Sequence, residues 1–478
     1  MSKDLNKINL LNVASEVFPF TATGGMGQVA GALSTAIAKS KSNVDVRVVT
    51  PLYAAFRDKF EPQMKFLGET TVKLSWRSVY CGVYTLTQDG VTYYFVDNRD
   101  YFGREKIYGY LDDGERFAFL SMAVFSVIEL SGFRPNVIHA HDWQAALVPI
   151  YLKVNFAHEY HDVKVVFTIH NIEYQGKFAN HTLGDVFDLP AYSTGIVEYD
   201  GCLNLMKGAI VCADKITTVS PSYAEEIKQF GGYGLEPIIR ENAYKLSGII
   251  NGIDTKYYDP KTDSNITKNY SIKTIKDKLE NKTALQKTFK LPEKPRSMLI
   301  CVVSRLVAHK GVDLITYLME DLLQLDVQFL LLGTGDQEYE LFFEELMRLY
   351  PKQVSVSIAY NPEIASKIYA GADVVLMPSQ SEPCGLTQMI CCRYGTIPIV
   401  RKTGGLGDTI LDCRNGNGNG FVFEEYDSAI FFEAIKDAYD LYMDREADWK
   451  NLMKEAMKSE FGWDSSVKAY VDLYRQLT

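Results

Sequence analysis

The chain carries two kinds of apolar pattern in alternation. Short β-branched runs, "INLLNVAS", "VDVRVVTPLY", "VTYYFVDN", "PNVIHAHDW", "VKVVFTIHN" and "ADKITTVSP", are apolar without a break, as strands buried on both faces are. Between them lie stretches such as "GQVAGALSTAIAKS" and "ERFAFLSMAVFSVIELSG", whose apolar residues recur at helical spacing. The alternation predicts an α/β domain with a parallel sheet covered by helices. From about Ile253 to Pro295 the chain turns polar, and a second series then opens with "SMLICVVSR", "VQFLLLGTG", "VSVSIAY", "ADVVLMPS" and "TIPIVRKTGG", again separated by helical stretches. The expectation is two doubly wound, Rossmann-like domains, residues 1–248 and 249–459. Ligands of open parallel sheets bind beyond the carboxyl ends of the strands, so the two domains are expected to face each other across a cleft.

Length agrees, since 478 residues exceed the size of one ordinary core, which stops growing at roughly 250 to 300 residues. A composition with 47% hydrophobic and 23% charged residues suits a folded enzyme and excludes a disordered or fibrous chain. The net charge of -10 argues against a nucleic-acid partner, which needs a basic surface. The start, "MSKDLNKINLLNVAS", does not read as a secretory signal, and no apolar run is long enough to span a membrane, so a cytoplasmic protein without a membrane partner is expected. Eight cysteines without a C-x-x-C pair read as buried free thiols.

Candidate chemistry gathers at the strand ends. "TATGGMGQVAGAL" and "KTGGLGDTIL" each follow a strand and open a helix, where bare amides and the helix dipole attract anions; Gly24 and Gly25 are the candidates in the first copy. A tight turn needing positive φ would explain either copy equally well. Neither is G-x-G-x-x-G, which counts against a dinucleotide oxidoreductase. In "SRLVAHKGVDL", Arg305 and Lys310 are placed to clamp a diphosphate, with an exposed salt bridge as the plainer alternative. In "PSQSEPCGLTQMI", Glu382 precedes a Gly385-Leu386-Thr387 turn whose amides can meet a phosphate; helix capping is the alternative there. His139, His141 and His170 end two strands, but they lack metal-ligand spacing, so no metal is expected. A histidine and Asp142 at such ends suit hydrogen bonding to a polyhydroxy ligand, and His139 equally suits a core position.

Taken together, "ASEVFPF", "HAHDWQAAL", "HNIEYQG", "INGID", "SRLVAHKG", "EPCGLTQ", "YGTIPIVRKTGGLGDT" and "FGWDSSVKAYVDLY" occur in the order and spacing of the bacterial glycogen synthase and plant starch synthase family, which the chain resembles nearly end to end. The resemblance implies a retaining glucosyltransferase of the GT-B type, which moves glucose from ADP-glucose to the non-reducing end of an α-1,4-glucan without metal or cofactor. It implies that Arg305 and Lys310 clamp the diphosphate, that Glu382 is the sugar-binding acid, and that Thr387 starts the helix holding the distal phosphate. Asp142 and His170 match residues contacting the donor glucose, and Tyr360 one that stacks on adenine. The final helix, residues 460–478, is expected to cross back to the first domain, with Trp463 near the crossing. One departure stands out: the family's first loop usually reads Lys-x-Gly-Gly-Leu, whereas here Ala22 fills the lysine position and Gln28 replaces an Asp. That leaves open a glucan-binding or regulatory paralogue with reduced turnover, or a transferase using another nucleotide sugar.

Overall fold

In the computed structural model, which describes residues 7–359 and 361–478, the chain forms two compact units. One runs to Gly252 and is completed by Trp463–Thr478; the other is Ile253–Gly462.

The first unit is built on a sheet of nine strands among the described residues. In chain order they are β1 (Ile8–Val13), β2 (Val44–Pro51), β3 (Lys65–Leu74), β4 (Arg77–Gln88), β5 (Val91–Asp97), β6 (Val137–His141), β7 (Lys164–Ile169), β11 (Lys215–Thr218) and β12 (Leu246–Gly248). They lie in the order β12-β11-β7-β6-β1-β2-β5-β4-β3. β8 (Lys177–Phe178), β9 (Glu198–Tyr199) and β10 (Cys202–Asn204) form a small antiparallel sheet beside it. The sheet is parallel as expected from β12 through β5, and only at its other edge does β4 run antiparallel to both β3 and β5. β3 and β4 are joined by a tight turn in which Ser75 takes φ 58°. Most of their residues are exposed or half-buried, so they show none of the unbroken apolar character that marks the central strands.

The second unit has a sheet of six parallel strands: β13 (Met298–Val303), β14 (Val327–Leu332), β15 (Val354–Ser357), β16 (Val374–Met377), β17 (Ile397–Arg401) and β18 (Phe421–Phe423). Their order is β15-β14-β13-β16-β17-β18. In both units the winding reverses once. The chain builds outward from β1 through β2 and then restarts at β6 on the other side of β1, where Leu10 to Val13 pair with Val137 to Ala140. It builds outward from β13 through β14 and β15 and restarts at β16, where Ile300 pairs with Val374. Loops leaving the carboxyl ends of strands at such a reversal diverge and leave room for a ligand.

The final helix, Asp464–Arg475, packs within the first unit. Ser466 donates to the Ile250 carbonyl at 2.6 Å, and Gly252 leaves no room for a Cβ against Trp463, which would lie 2.8 Å away. Tyr474, fully buried, has its hydroxyl 2.8 Å from Nδ1 of His139, whose Nε2 lies 2.5 Å from Oγ1 of Thr168. His139 is therefore a satisfied core histidine. All eight cysteines are free thiols, six of them buried.

Removing the Tyr474 hydroxyl leaves a buried imidazole nitrogen unpaired. Tyr474→Phe should lower the stability of the first unit by about 1 to 3 kcal/mol, read as a shift of its denaturant midpoint; an unmoved midpoint would show that the hydroxyl contributes nothing.

Candidate active site

In the first unit, three strand ends beside the reversal bring polar groups together. β1 runs into Ser15 and Glu16, and Glu16 is almost fully buried. Its carboxylate accepts hydrogen bonds from the Thr23 amide, from the Thr23 hydroxyl at 2.9 Å and from the Tyr108 hydroxyl at 2.5 Å. An anionic acceptor with three donors holds the glycine loop to the end of β1. Gly24 caps the Gly25–Lys39 helix at φ -159° and Gly25 begins it; both are exposed, and a Cβ at either would meet nothing within 4 Å. Positive φ is thus not the reason for these two glycines, and what they provide is uncovered backbone at a helix start.

Asp142 follows β6 and His170 follows β7. Asp142 adopts φ 56°, a left-handed conformation uncommon outside glycine, and its Oδ1 accepts from the His170 amide at 2.7 Å, with a second bond from the Asn171 amide. Loss of hydration pushes the Asp142 carboxyl up to about 7, against the lowering effect of those two amides and helped by the charge of Glu16. His141 and His170 are buried and held below the ordinary imidazole range by desolvation, so both rings are neutral near pH 7. Nδ1 of His141 lies 3.0 Å from Nε2 of His170.

In the second unit the loops after β13 and β16 meet. Lys310 Nζ lies 2.6 Å from Glu382 Oε2, with both side chains largely buried, and the Ser379 hydroxyl approaches the same oxygen at 3.4 Å. Lys310 therefore pairs with Glu382, while Arg305 stands exposed at the end of β13. Gly385, at φ 71°, leads through Leu386 into the helix Thr387–Arg393, and the buried Gln388 side chain donates to the carbonyls of Cys384 and Gly385 at 3.0 Å. The first amides of that helix have no partner within it. Tyr360 lies outside the described residues.

The second Thr-Gly-Gly copy does something different from the first. Gly404 has φ 41°, and a Cβ there would lie 2.1 Å from the Glu382 carbonyl oxygen; at Gly405 it would lie 2.2 Å from that of Cys384. The Gly405 amide donates to the Glu382 and Pro383 carbonyls at 3.1 and 3.2 Å. The reading of this copy as an open anion loop is corrected: both glycines are buried, and their backbone supports the segment that carries Glu382.

Comparison with known proteins follows the same division of the chain. Residues 9–241 match the starch synthase catalytic domain and residues 284–455 match glycosyl transferases group 1. Glycogen synthases of Ligilactobacillus salivarius and Bacillus cereus are each 43% identical, over 98% of this chain and all of theirs. This chain belongs to the glycogen and starch synthase family. It is a glycosyltransferase with that family's GT-B fold: the catalytic domain of starch synthase IV from Arabidopsis thaliana, solved with ADP and acarbose bound, superposes with a TM-score of 0.92 at 32% identity, covering 98% of this chain and 99% of that one. A sucrose-phosphate synthase from Thermosynechococcus elongatus, at 17% identity and a TM-score of 0.64, shares the fold.

Among the described residues no group of three or more His, Cys, Asp or Glu side chains is placed to hold a metal, and no helix is long and apolar enough to cross a membrane. Glu16, Tyr108 and Gln388 join the site without standing among the residues that the strand-end motifs mark. Glu16 did carry a signal, a lone carboxylate inside the apolar stretch "ASEVFPF". Tyr108 and Gln388 carried none, since their partners are distant in sequence or are backbone carbonyls.

Gly405→Ala should depress turnover at least tenfold while the fold, read by circular dichroism, persists, because its methyl would displace the Glu382–Cys384 backbone, and a misplaced charge-assisted contact costs about 1.5 to 3 kcal/mol; wild-type turnover would remove the supporting role. Asp142 yields a pH signature. Its folded pKa is raised, so the folded protein keeps a proton that the unfolded chain releases between 3.8 and about 7. The stability it contributes is complete below that window and lost as pH rises through it. The apparent Tm of wild type should therefore fall relative to that of Asp142→Asn between pH 5 and pH 7.5, and parallel curves would contradict the raised pKa.

Proposed function

We propose that this protein transfers glucose from ADP-glucose to the non-reducing end of an α-1,4-glucan, retaining the anomeric configuration and using neither metal nor cofactor. The observation that carries the reading is the Lys310–Glu382 pair at the strand-order reversal of the second sheet, beside the start of the Thr387–Arg393 helix, which has no side-chain cap among the described residues. That arrangement suits a sugar diphosphate. Lys310 and Arg305 grip the diphosphate as point charge and planar fork, the Gly385, Leu386 and Thr387 turn offers amides to the distal phosphate, and Glu382 meets the sugar. Tyr360 stacks on the adenine. Asp142 and His170 hydrogen-bond the glucose, and Gly24 and Gly25 leave their backbone open to the phosphates or the incoming glucan.

As the anomeric C–O bond breaks, its electron pair and a developing negative charge pass to the diphosphate, where two cations and the helix start stabilise them. With no carboxylate assigned as nucleophile, retention follows from attack on the face the diphosphate leaves. The acceptor hydroxyl forms the new bond there and gives its proton to the departing phosphate oxygen. A cytoplasmic location fits a reaction fed by a soluble nucleotide sugar.

Ala22 favours a second reading, a glucan-binding paralogue with little turnover, because the first loop lacks the cation usual in the family. Incorporation from labelled ADP-glucose into glycogen, with UDP-glucose in parallel and EDTA present, separates the readings. Efficient transfer from ADP-glucose is the expected outcome, and Ala22→Lys should improve kcat/KM by up to the worth of one charge-assisted contact, about 1.5 to 3 kcal/mol. Preference for UDP-glucose would overturn the donor, and absence of transfer with retained glucan binding would favour the paralogue.

A further inference from the structure

Among the described residues the His170 imidazole has a hydrogen-bond partner at one ring nitrogen, Nε2, which lies 3.0 Å from Nδ1 of His141, with the two ring centres 5.2 Å apart. Both rings are buried and neutral, so one nitrogen of this contact must carry the proton and the other must accept it. His141 decides which. Its second nitrogen, Nε2, is fully buried and has no hydrogen-bond partner among the described residues. An orphaned buried N–H is rarer and costlier than an orphaned acceptor, so the proton of His141 sits on Nδ1, where it has somewhere to go. His170 Nε2 is then the acceptor, and its own proton is on Nδ1, the nitrogen that the protein leaves to a ligand.

We propose that His141 is a positioning residue that fixes His170 in the Nδ1–H tautomer, making it a hydrogen-bond donor toward a sugar hydroxyl oxygen and not a base. The inference rests on the reading of His170 as a donor-glucose contact. His141 is itself clamped. The His139 ring lies against it with centres 4.2 Å apart and planes at 32°, and His139 is bonded on both nitrogens, to Tyr474 of the final helix and to Thr168, which in turn lies 2.5 Å from Thr217 Oγ1. The orientation of the sugar-facing ring is thus carried inward through two histidines to the chain's last helix.

Nitrogen-15 NMR of the full-length protein labelled at histidine locates the proton, with His170→Gln identifying the signal. The expected spectrum has His170 protonated at Nδ1, and His141→Leu should give mixed tautomers. In the same variant kcat for glucosyl transfer should fall about tenfold, with KM for ADP-glucose within about threefold of wild type, because one oriented hydrogen bond is lost while the donor's anchors remain. His141→Gln, whose amide still donates, should recover most of the loss. A wild-type proton on Nε2 of His170, or undiminished kcat in His141→Leu, overturns the proposal. Should His141→Leu fail to fold, the wild-type spectrum alone decides. Full turnover in His170→Ala would instead overturn the role of His170 as a glucose contact, while the tautomer assignment would stand or fall on the spectrum.

Discussion

Parallel strands are joined by crossovers, and a sheet whose crossovers turn first to one side and then to the other has one place where neighbouring loops diverge. The candidate site is built around that constraint, met once in each unit, between β1 and β6 and between β13 and β16, with His170 added from β7 next door. Glu16 and the glycine loop leave β1, Asp142 leaves β6, Arg305 and Lys310 leave β13, and Glu382 leaves β16. Groups 72 residues apart in sequence, such as Lys310 and Glu382, become hydrogen-bonded because their strands are neighbours.

Two physical demands are balanced at these ends. Charged groups near the sheet lose hydration, which is costly unless each finds a partner. Glu16 takes three hydrogen bonds, Glu382 takes Lys310, and Asp142 takes two amides yet is still pushed up to about 7. Each carboxylate is thereby fixed in place before any ligand arrives, so binding need not spend free energy on ordering it.

The repeated Thr-Gly-Gly motif shows one residue pattern used for opposite ends. In the first copy the missing side chains leave backbone open to solvent; in the second they allow backbone to pass within contact of the Glu382 segment. The two copies also differ in what precedes them, Ala22 in the first and Lys402 in the second.

Much was legible in the sequence. Unbroken apolar runs alternating with helical periods follow directly from burial of a parallel sheet on both faces, and glycines and charges at the ends of those runs mark where strand-end loops turn, though not whether a glycine there opens backbone, as at Gly24, or packs it, as at Gly405. The antiparallel β3–β4 hairpin was hidden, because half-exposed strands lack the unbroken apolar run and resemble loop in a single sequence. Only the tertiary structure decided which residues meet: that Lys310 and not Arg305 pairs with Glu382, that Tyr108 reaches Glu16, that Tyr474 reaches His139, and that the two glycine pairs differ in purpose. Periodicity is a property of neighbours along the chain, whereas these contacts are set by strand order and register, which bring together residues up to 335 positions apart.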